Sequence, residues 1–275
     1  MPVIDFHRRF HPLTAHPFDR EDCAEYPPCE ALRPYVRCFW GPVAVRSPLV
    51  VPDACADIIL RMDRGGMEMS FAPVDNAPYS ALRPCRDLFG VRFYFWALPC
   101  FDVGGGFGEE SFPDLRGYLV REGFPEADFA GRMRIMERYL LARLRPDAAP
   151  ATFLCAMDRL IGGCGRERIS EVAAGEAVSP RTLERMFRRC MGISPKEAAE
   201  VIRYQTLWRR ALSPRFDVMD QVEALGFCDQ AHLLGSFRRF HSLPLREAVA
   251  RARVAFLQDT AREADYTERR RCDHV

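Results

Sequence analysis

With 275 residues, 48% apolar and 28% charged, and a formal net charge of +1, the chain has an ordinary globular composition and the length for two domains. That balance excludes a collagen-like or low-complexity chain, and no run of 18 apolar residues is present to span a membrane as a helix. The eleven cysteines include no Cys-x-x-Cys pair, and no apolar signal segment follows Asp5, His7, Arg8 and Arg9, so reduced thiols and a cytoplasmic setting are expected.

Residues 1–110 are rich in proline, aromatic and β-branched residues broken by turn signals. Pro42–Pro52, Asp57–Met62 and Val91–Leu98 read as strands, with Gly65-Gly66 as a turn. Phe39, Trp40, Phe93, Phe95 and Trp96 could line a pocket, but their alternation favours the core of a β domain. The Gly104–Gly108 stretch lacks the Lys-Ser/Thr of a phosphate loop, and Glu109-Glu110 would repel phosphate; it reads as a connection.

Helical spacing then takes over. Phe129, Met133, Met136, Leu140 and Leu144 form one apolar stripe on a helix that packs on its own domain or also pairs with a second subunit. Arg145-Pro-Asp-Ala-Ala-Pro150 breaks that helix and marks the domain boundary. Beyond it, Phe153, Leu154, Met157, Leu160 and Ile161 line a first helix ended by Gly162-Gly163. Ile169–Ala174 forms a short second one. Ser179 with Pro180 starts a third, closed by Gly192. Ala198, Val201, Ile202, Gln205 and Trp208 mark a long connecting helix. Val218–Leu225, the turn Gly226-Phe227 and a helix from Asp229 to Phe240 follow.

This region contains an imperfect repeat with an offset of fifty: Leu183/Leu233, Phe187/Phe237, Arg188/Arg238, Arg189/Arg239, Glu197/Glu247 and Ala198/Ala248. Between Arg166 and Arg253 there are 16 basic against 11 acidic residues, so the basic charge gathers where the repeat lies. Of the 39 basic residues only Lys196 is lysine. Arginine suits forked contacts to phosphate and guanine, although genome composition is the weightier explanation of that bias.

Ser179-Pro-Arg-Thr-Leu-Glu-Arg-Met-Phe-Arg-Arg189, Gly192-Ile-Ser-Pro195, Ile202-Arg-Tyr-Gln205 and Gly226-Phe-Cys-Asp-Gln-Ala-His232 with Phe237-Arg-Arg239 resemble the DNA-binding domain of AraC/XylS-family transcription regulators. The resemblance covers roughly Phe153–Arg253. A shorter likeness to the sensor region of one branch of that family rests on Arg33-Pro-Tyr35, Phe39-Trp40, Pro52-Asp53 and Gly90-Val-Arg-Phe93. It implies an α+β chain: a mainly-β sensing and dimerisation domain with trailing helices (1–145), an all-α tandem helix-turn-helix domain joined by a long helix (151–255), and a charged tail (256–275). The implied function is a sequence-specific regulator, usually an activator, reading two successive major grooves. Its implied partners are double-stranded DNA, a second copy of the chain, RNA polymerase and an unidentified small-molecule effector.

The resemblance places base-reading residues at Arg181, Thr182, Glu184 and Arg185 on the first recognition helix, with Leu183, Met186 and Phe187 facing inward. Arg185 is the best candidate for guanine O6/N7, a contact type worth ~1–3 kcal/mol of discrimination. Glu184 either accepts from cytosine N4 or pairs with a neighbouring arginine. The second helix offers Gln230, Ala231, His232 and Gly235, where the family usually has a polar or basic residue at the last position. Its closing motif has become Ser242-Leu-Pro-Leu245. A weaker second reader is expected, with Gln230 and His232 left to touch bases. Arg188, Arg189, Arg238 and Arg239 at the helix ends suit phosphate or structural carboxylates.

Two alternatives belong to other classes. A cysteine-centred DNA-repair methyltransferase would need a four-cysteine cluster or a Pro-Cys-His-Arg motif. Pro84-Cys85 is instead followed by Arg86-Asp87, and Pro99-Cys100 by Phe101-Asp102. A degenerate family member acting through protein partners is the other. No catalytic residue, cofactor or metal ligand is assigned.

Overall fold

Alternation along the central strands divides the N-terminal sheet into two chemically different faces. The computed structural model describes residues 5–13, 24–41, 49–63, 66–80, 87–101 and 107–252. After a helical turn α1 (Phe6–Arg9), strands β1 (Ala24–Tyr26), β2 (Val36–Gly41), β4 (Cys55–Asp63), β5 (Gly66–Ala72) and β7 (Leu88–Tyr94) form one antiparallel sheet in the order β1-β2-β7-β4-β5. The short strands β3 (Leu49–Val50) and β6 (Tyr79–Ser80) pair separately. Ala56, Ile58, Leu60, Phe89, Val91 and Phe93 point into the main core. Cys38, Trp40, Ile59 and Leu88 make a small apolar cluster on the other face. Gly90 in β7 is required there, because a Cβ would collide with the indole of Trp40.

The expected strands are corrected in two respects. Asp57–Met62 lies within the longer β4, whereas only Val91–Tyr94 of Val91–Leu98 is strand. Phe95–Phe101 curls into a fully buried 3-10 helix, started by a hydrogen bond from Phe95 N to Ala54 O (3.0 Å). Residues 42–48 of the expected first strand, Gly65 of the expected turn, Gly104–Gly106 and Pro84–Arg86 lie outside the described residues, as does the charged tail. The aromatic core reading holds: Phe39, Phe93, Phe95 and Trp96 are fully buried in the main core, and Trp40 is buried on the other face.

Two helices cover the core face, α2 (Leu115–Arg121) and α3 (Phe129–Arg143), the latter capped by Asp128 accepting from Gly131 N (2.7 Å). Phe89 meets Phe124 and Phe129 at ring distances of 5.2 and 5.0 Å. Met136 and Leu140 are fully buried, and Phe129, Met133 and Leu144 pack on the same core. The apolar stripe of α3 therefore packs on its own chain, and Met136 and Leu140 are fully taken up by that packing.

The C-terminal half consists of α4 (Ala151–Gly162), α5 (Ile169–Gly175), α6 (Pro180–Met191), α7 (Pro195–Ala211), α8 (Val218–Ala224) and α9 (Gln230–His241), with residues 245–252 also helical. Two of the caps, Ser179 and Asp229, are those expected from the chain, and a third appears at Ser194. Ser179 accepts from Thr182 N (3.1 Å), Asp229 accepts from His232 N (2.7 Å), and Ser194 and Glu197 close a capping box on α7.

The repeat is less regular than its sequence offset. The second helices of the two units, α6 and α9, begin fifty residues apart, but α5 and α8 begin forty-nine apart, so the second turn is one residue longer. Each unit needs a left-handed residue in its turn and another at the end of its second helix. The first unit uses Ala177 (φ +54°) and Gly192 (φ +81°); the second uses Gly226 (φ +67°) and Ser242 (φ +63°).

The two halves share one apolar core. The 3-10 helix Phe95–Phe101 packs on α6, α1 packs on α4 with an Arg9–Asp158 ion pair, and Arg145 N donates to Cys100 O (2.7 Å). Asn76 Nδ2 donates to Glu197 Oε1 (2.7 Å), which fastens the N-terminal half to the start of α7.

Candidate nucleic-acid interface

The strongly one-sided character of α6 decides which side chains face outward. Leu183, Phe187 and Cys190 are buried, leaving Arg181, Glu184, Arg185, Arg188 and Arg189 exposed. Thr182 departs from the outward expectation. It is half-buried, and its hydroxyl shares a 2.9 Å hydrogen bond with Ser179 Oγ, so it belongs to the cap. Glu184 pairs with Arg188 at 3.3 Å, one turn away, and Arg188 also lies 3.9 Å from Glu197. Arg181, Arg185 and Arg189 form no ion pair with a described residue.

On α9, Gln230, Ala231, His232, Gly235, Arg238 and Arg239 are exposed. His232 Nδ1 accepts from Cys228 N (3.4 Å), and the ring meets Phe227 edge-on at 5.3 Å. With Nδ1 accepting, Nε2 carries the ring proton of the neutral imidazole, a donor suited to a purine N7 or a phosphate oxygen. Nothing lies within 4 Å of a Cβ built on Gly235, so the second helix has open space where a reading side chain would stand. Arg239 is tied to Glu200 of α7 at 2.7 Å, while Arg238 has no ion pair with a described residue.

Both units are fastened to α7, about 25 Å long at ~1.5 Å per residue. Arg203 donates to Gly165 O through Nε and Nη2 (3.2 and 2.5 Å) and lies over the Phe227 ring. Gly165 has a left-handed φ of +71° and lies so close to Ala199 that a Cβ would collide with the α7 backbone. Arg166 reaches Ala224 O (3.2 Å), joining the first unit to the second, and Arg210 of α7 reaches Gln221 of α8 (3.0 Å).

Residues 172–251 match a family model described as a helix-turn-helix domain, a span that takes in both units. The C-terminal part of the chain is an AraC-type DNA-binding domain. The chain matches no curated protein. The AraC-type domain makes this a DNA-binding transcription regulator of that type. Among the described residues, no helix is long and apolar enough to cross a membrane, and no cluster of three or more metal-ligating side chains occurs.

Two polar groupings escaped the sequence reading. In the AraC-type domain, Tyr204 and Gln205 are buried within α7, and Tyr204 Oη meets His241 Nδ1 at 2.7 Å. Burial pushes the Tyr204 phenol well above its usual range and lowers His241 to about 4, so the imidazole is neutral and the tyrosine donates. A glutamine within an apolar helical stripe was the available signal. In the N-terminal half, buried Arg92 is held by Asp57 through two bonds (2.9 and 2.8 Å), by Asp53 at 3.3 Å and by Glu25 at 3.6 Å. Burial lifts the Asp53 carboxyl to about 6 against the opposing pull of Arg92.

Proposed function

We propose that the chain is a sequence-specific, effector-responsive regulator, acting as an activator, whose two recognition helices enter successive major grooves. Residues 1–145 would serve as the sensing and dimerising unit and residues 151–255 as the reader. What supports this is the pair of outward helices on one rigid connecting helix, with the unpaired arginines concentrated on α6. Recognition helices about 34 Å apart can enter adjacent grooves on one face of B-DNA. Arg185 and Arg181 are the proposed base readers, with Gln230 and His232 contributing on α9. Arg189 and Arg238 are the proposed phosphate contacts. Dimerisation would have to use a surface other than Met136 and Leu140 of the α3 stripe. RNA polymerase is the partner that activation would require.

A selection on randomised duplex DNA, followed by salt titration on the enriched site, tests the reading. The expected result is a bipartite site with more information in one half, and an affinity that falls steeply with salt. A chain that enriches no sequence would overturn it. The empty position at Gly235 favours the partner-binding alternative in that event.

A further inference from the structure

The turn Pro52–Cys55 leads into β4, which lies between β7 and β5 in the N-terminal sheet, and contacts from several sides hold it. Ala54 is a fully buried, non-glycine residue at φ +58°, a conformation that persists only when its surroundings impose it. Cys55 N donates to Asp53 Oδ1 (3.1 Å), and the other Asp53 oxygen faces Arg92. Two contacts then leave the turn toward the AraC-type domain. Ala54 O accepts from Phe95 N, the first residue of the 3-10 helix that packs on α6. Pro52 O accepts from Gln205 Nε2 (2.6 Å).

Gln205 is 1% exposed and is bound entirely by the N-terminal half. Besides Pro52 O, its Nε2 donates to Leu13 O (3.2 Å), and its Oε1 accepts from Leu13 N (2.8 Å). The preceding residue, Tyr204, makes the bond to His241 at the end of α9. Tyr204 also packs on Phe237 and Phe240 at ring distances of 5.6 and 5.1 Å. The main packing partners of α9 are α7 and α8, so it meets the N-terminal half through α7. The first unit, by contrast, touches that half directly.

We propose that the Pro52–Cys55 turn is the junction through which the Arg92–Asp53–Asp57 cluster sets the seats of both recognition helices, with Gln205 the positioning residue for the second. The branch through Ala54 and the 3-10 helix serves α6. The branch through Gln205, Tyr204 and His241 serves α9. The branching rests on the reading of α6 and α9 as DNA readers only for its functional meaning, since it is a mechanical property of the free protein.

Hydrogen exchange on the full-length chain without DNA tests it, so a failure here is separate from a failure to bind DNA. Gln205→Met keeps the side chain's length and packing but removes three hydrogen bonds. It should speed exchange in α9 about tenfold while leaving α6 unchanged. Asp53→Asn preserves shape and weakens the hold on Arg92, and should speed exchange in both helices. Arg61→Ala, at the far end of the same sheet face, should leave both as they are. Equal acceleration of α6 and α9 in Gln205→Met, or none in α9, would overturn the assignment. If Gln205→Met does not fold, Asp53→Asn decides, and loosening confined to the sheet would overturn the junction. With DNA present, Gln205→Met should blur the second half-site and spare the first.

Discussion

Tyr204 and His241, thirty-seven residues apart, share a 2.7 Å hydrogen bond in a site closed to solvent, with Trp208 and Phe237 packed on the imidazole at ring distances of 4.6 and 4.9 Å. A buried imidazole held neutral makes stability depend on pH. His241 titrates at about 4 in the folded chain against 6.5 when free. As pH falls below 6.5 the unfolded chain binds a proton that the folded chain refuses. Stability is therefore lost between pH 6.5 and 4, by about 3 kcal/mol. Urea melts of the parent and His241→Asn at pH 7 and pH 4.5 check this. The variant should be less stable at pH 7 but lose less on acidification. Identical pH losses in the two proteins would contradict the assignment.

Ser242 occupies the left-handed position that Gly192 fills in the first unit. Ser242→Gly should stabilise the chain by about 1 kcal/mol, and Gly192→Ala should destabilise it by a similar amount. Thermal melts read both. A stability loss in Ser242→Gly would mean that the serine side chain contributes more than its backbone costs.

Arg185→Ala should cost ~1–3 kcal/mol on the enriched site and relax preference at one base pair. Arg238→Ala should weaken all sequences about equally and reduce the salt slope by about one counterion. Arg239→Ala should act more weakly, because its guanidinium is already engaged by Glu200. Fluorescence anisotropy on specific and scrambled duplexes at several salt concentrations separates the three.

Gly235→Arg has room for its side chain and removes a glycine from a helix interior, a change worth roughly 1 kcal/mol to the helix. It should tighten binding or add a base preference in the second half-site. A repeat of the randomised-DNA selection would show the added information, and an unchanged second half-site would count against α9 as a reader.

Met136→Asp, alone or with Leu140→Asp, places charge in a fully closed core. Loss of the cooperative melt is expected, rather than a folded monomer. Circular dichroism with sedimentation distinguishes the two outcomes.

The AraC-type half was legible because its signals are local. Ser179, Pro180 and Asp229 announce helix starts, and apolar residues recur at helical spacing between them. The sheet was harder to read. Phe95–Phe101 continues the aromatic character of β7, yet it curls away because Phe95 N finds Ala54 O. The Arg92 cluster and the Gln205 bonds were invisible for a different reason: their partners lie 35 and 153 residues away, and no short-range pattern encodes such pairings. Among the proposed readers, spacing placed Arg181 and Arg185 outward correctly. It did not foresee that Thr182 turns back to its cap, and of the two roles open to Glu184 the pairing with a neighbouring arginine is the one seen, with Arg188.

The extra residue in the second turn, together with the bare position at Gly235, makes the two units unequal while the chain fixes their order. A symmetric dimer of identical readers sees a palindrome and cannot tell left from right. Unequal readers strung in a set sequence lie productively on the duplex in one direction. On the proposed reading such a polypeptide would carry a built-in arrow: its N-terminal half would be presented toward one end of the site, and an inverted site would turn that half the other way.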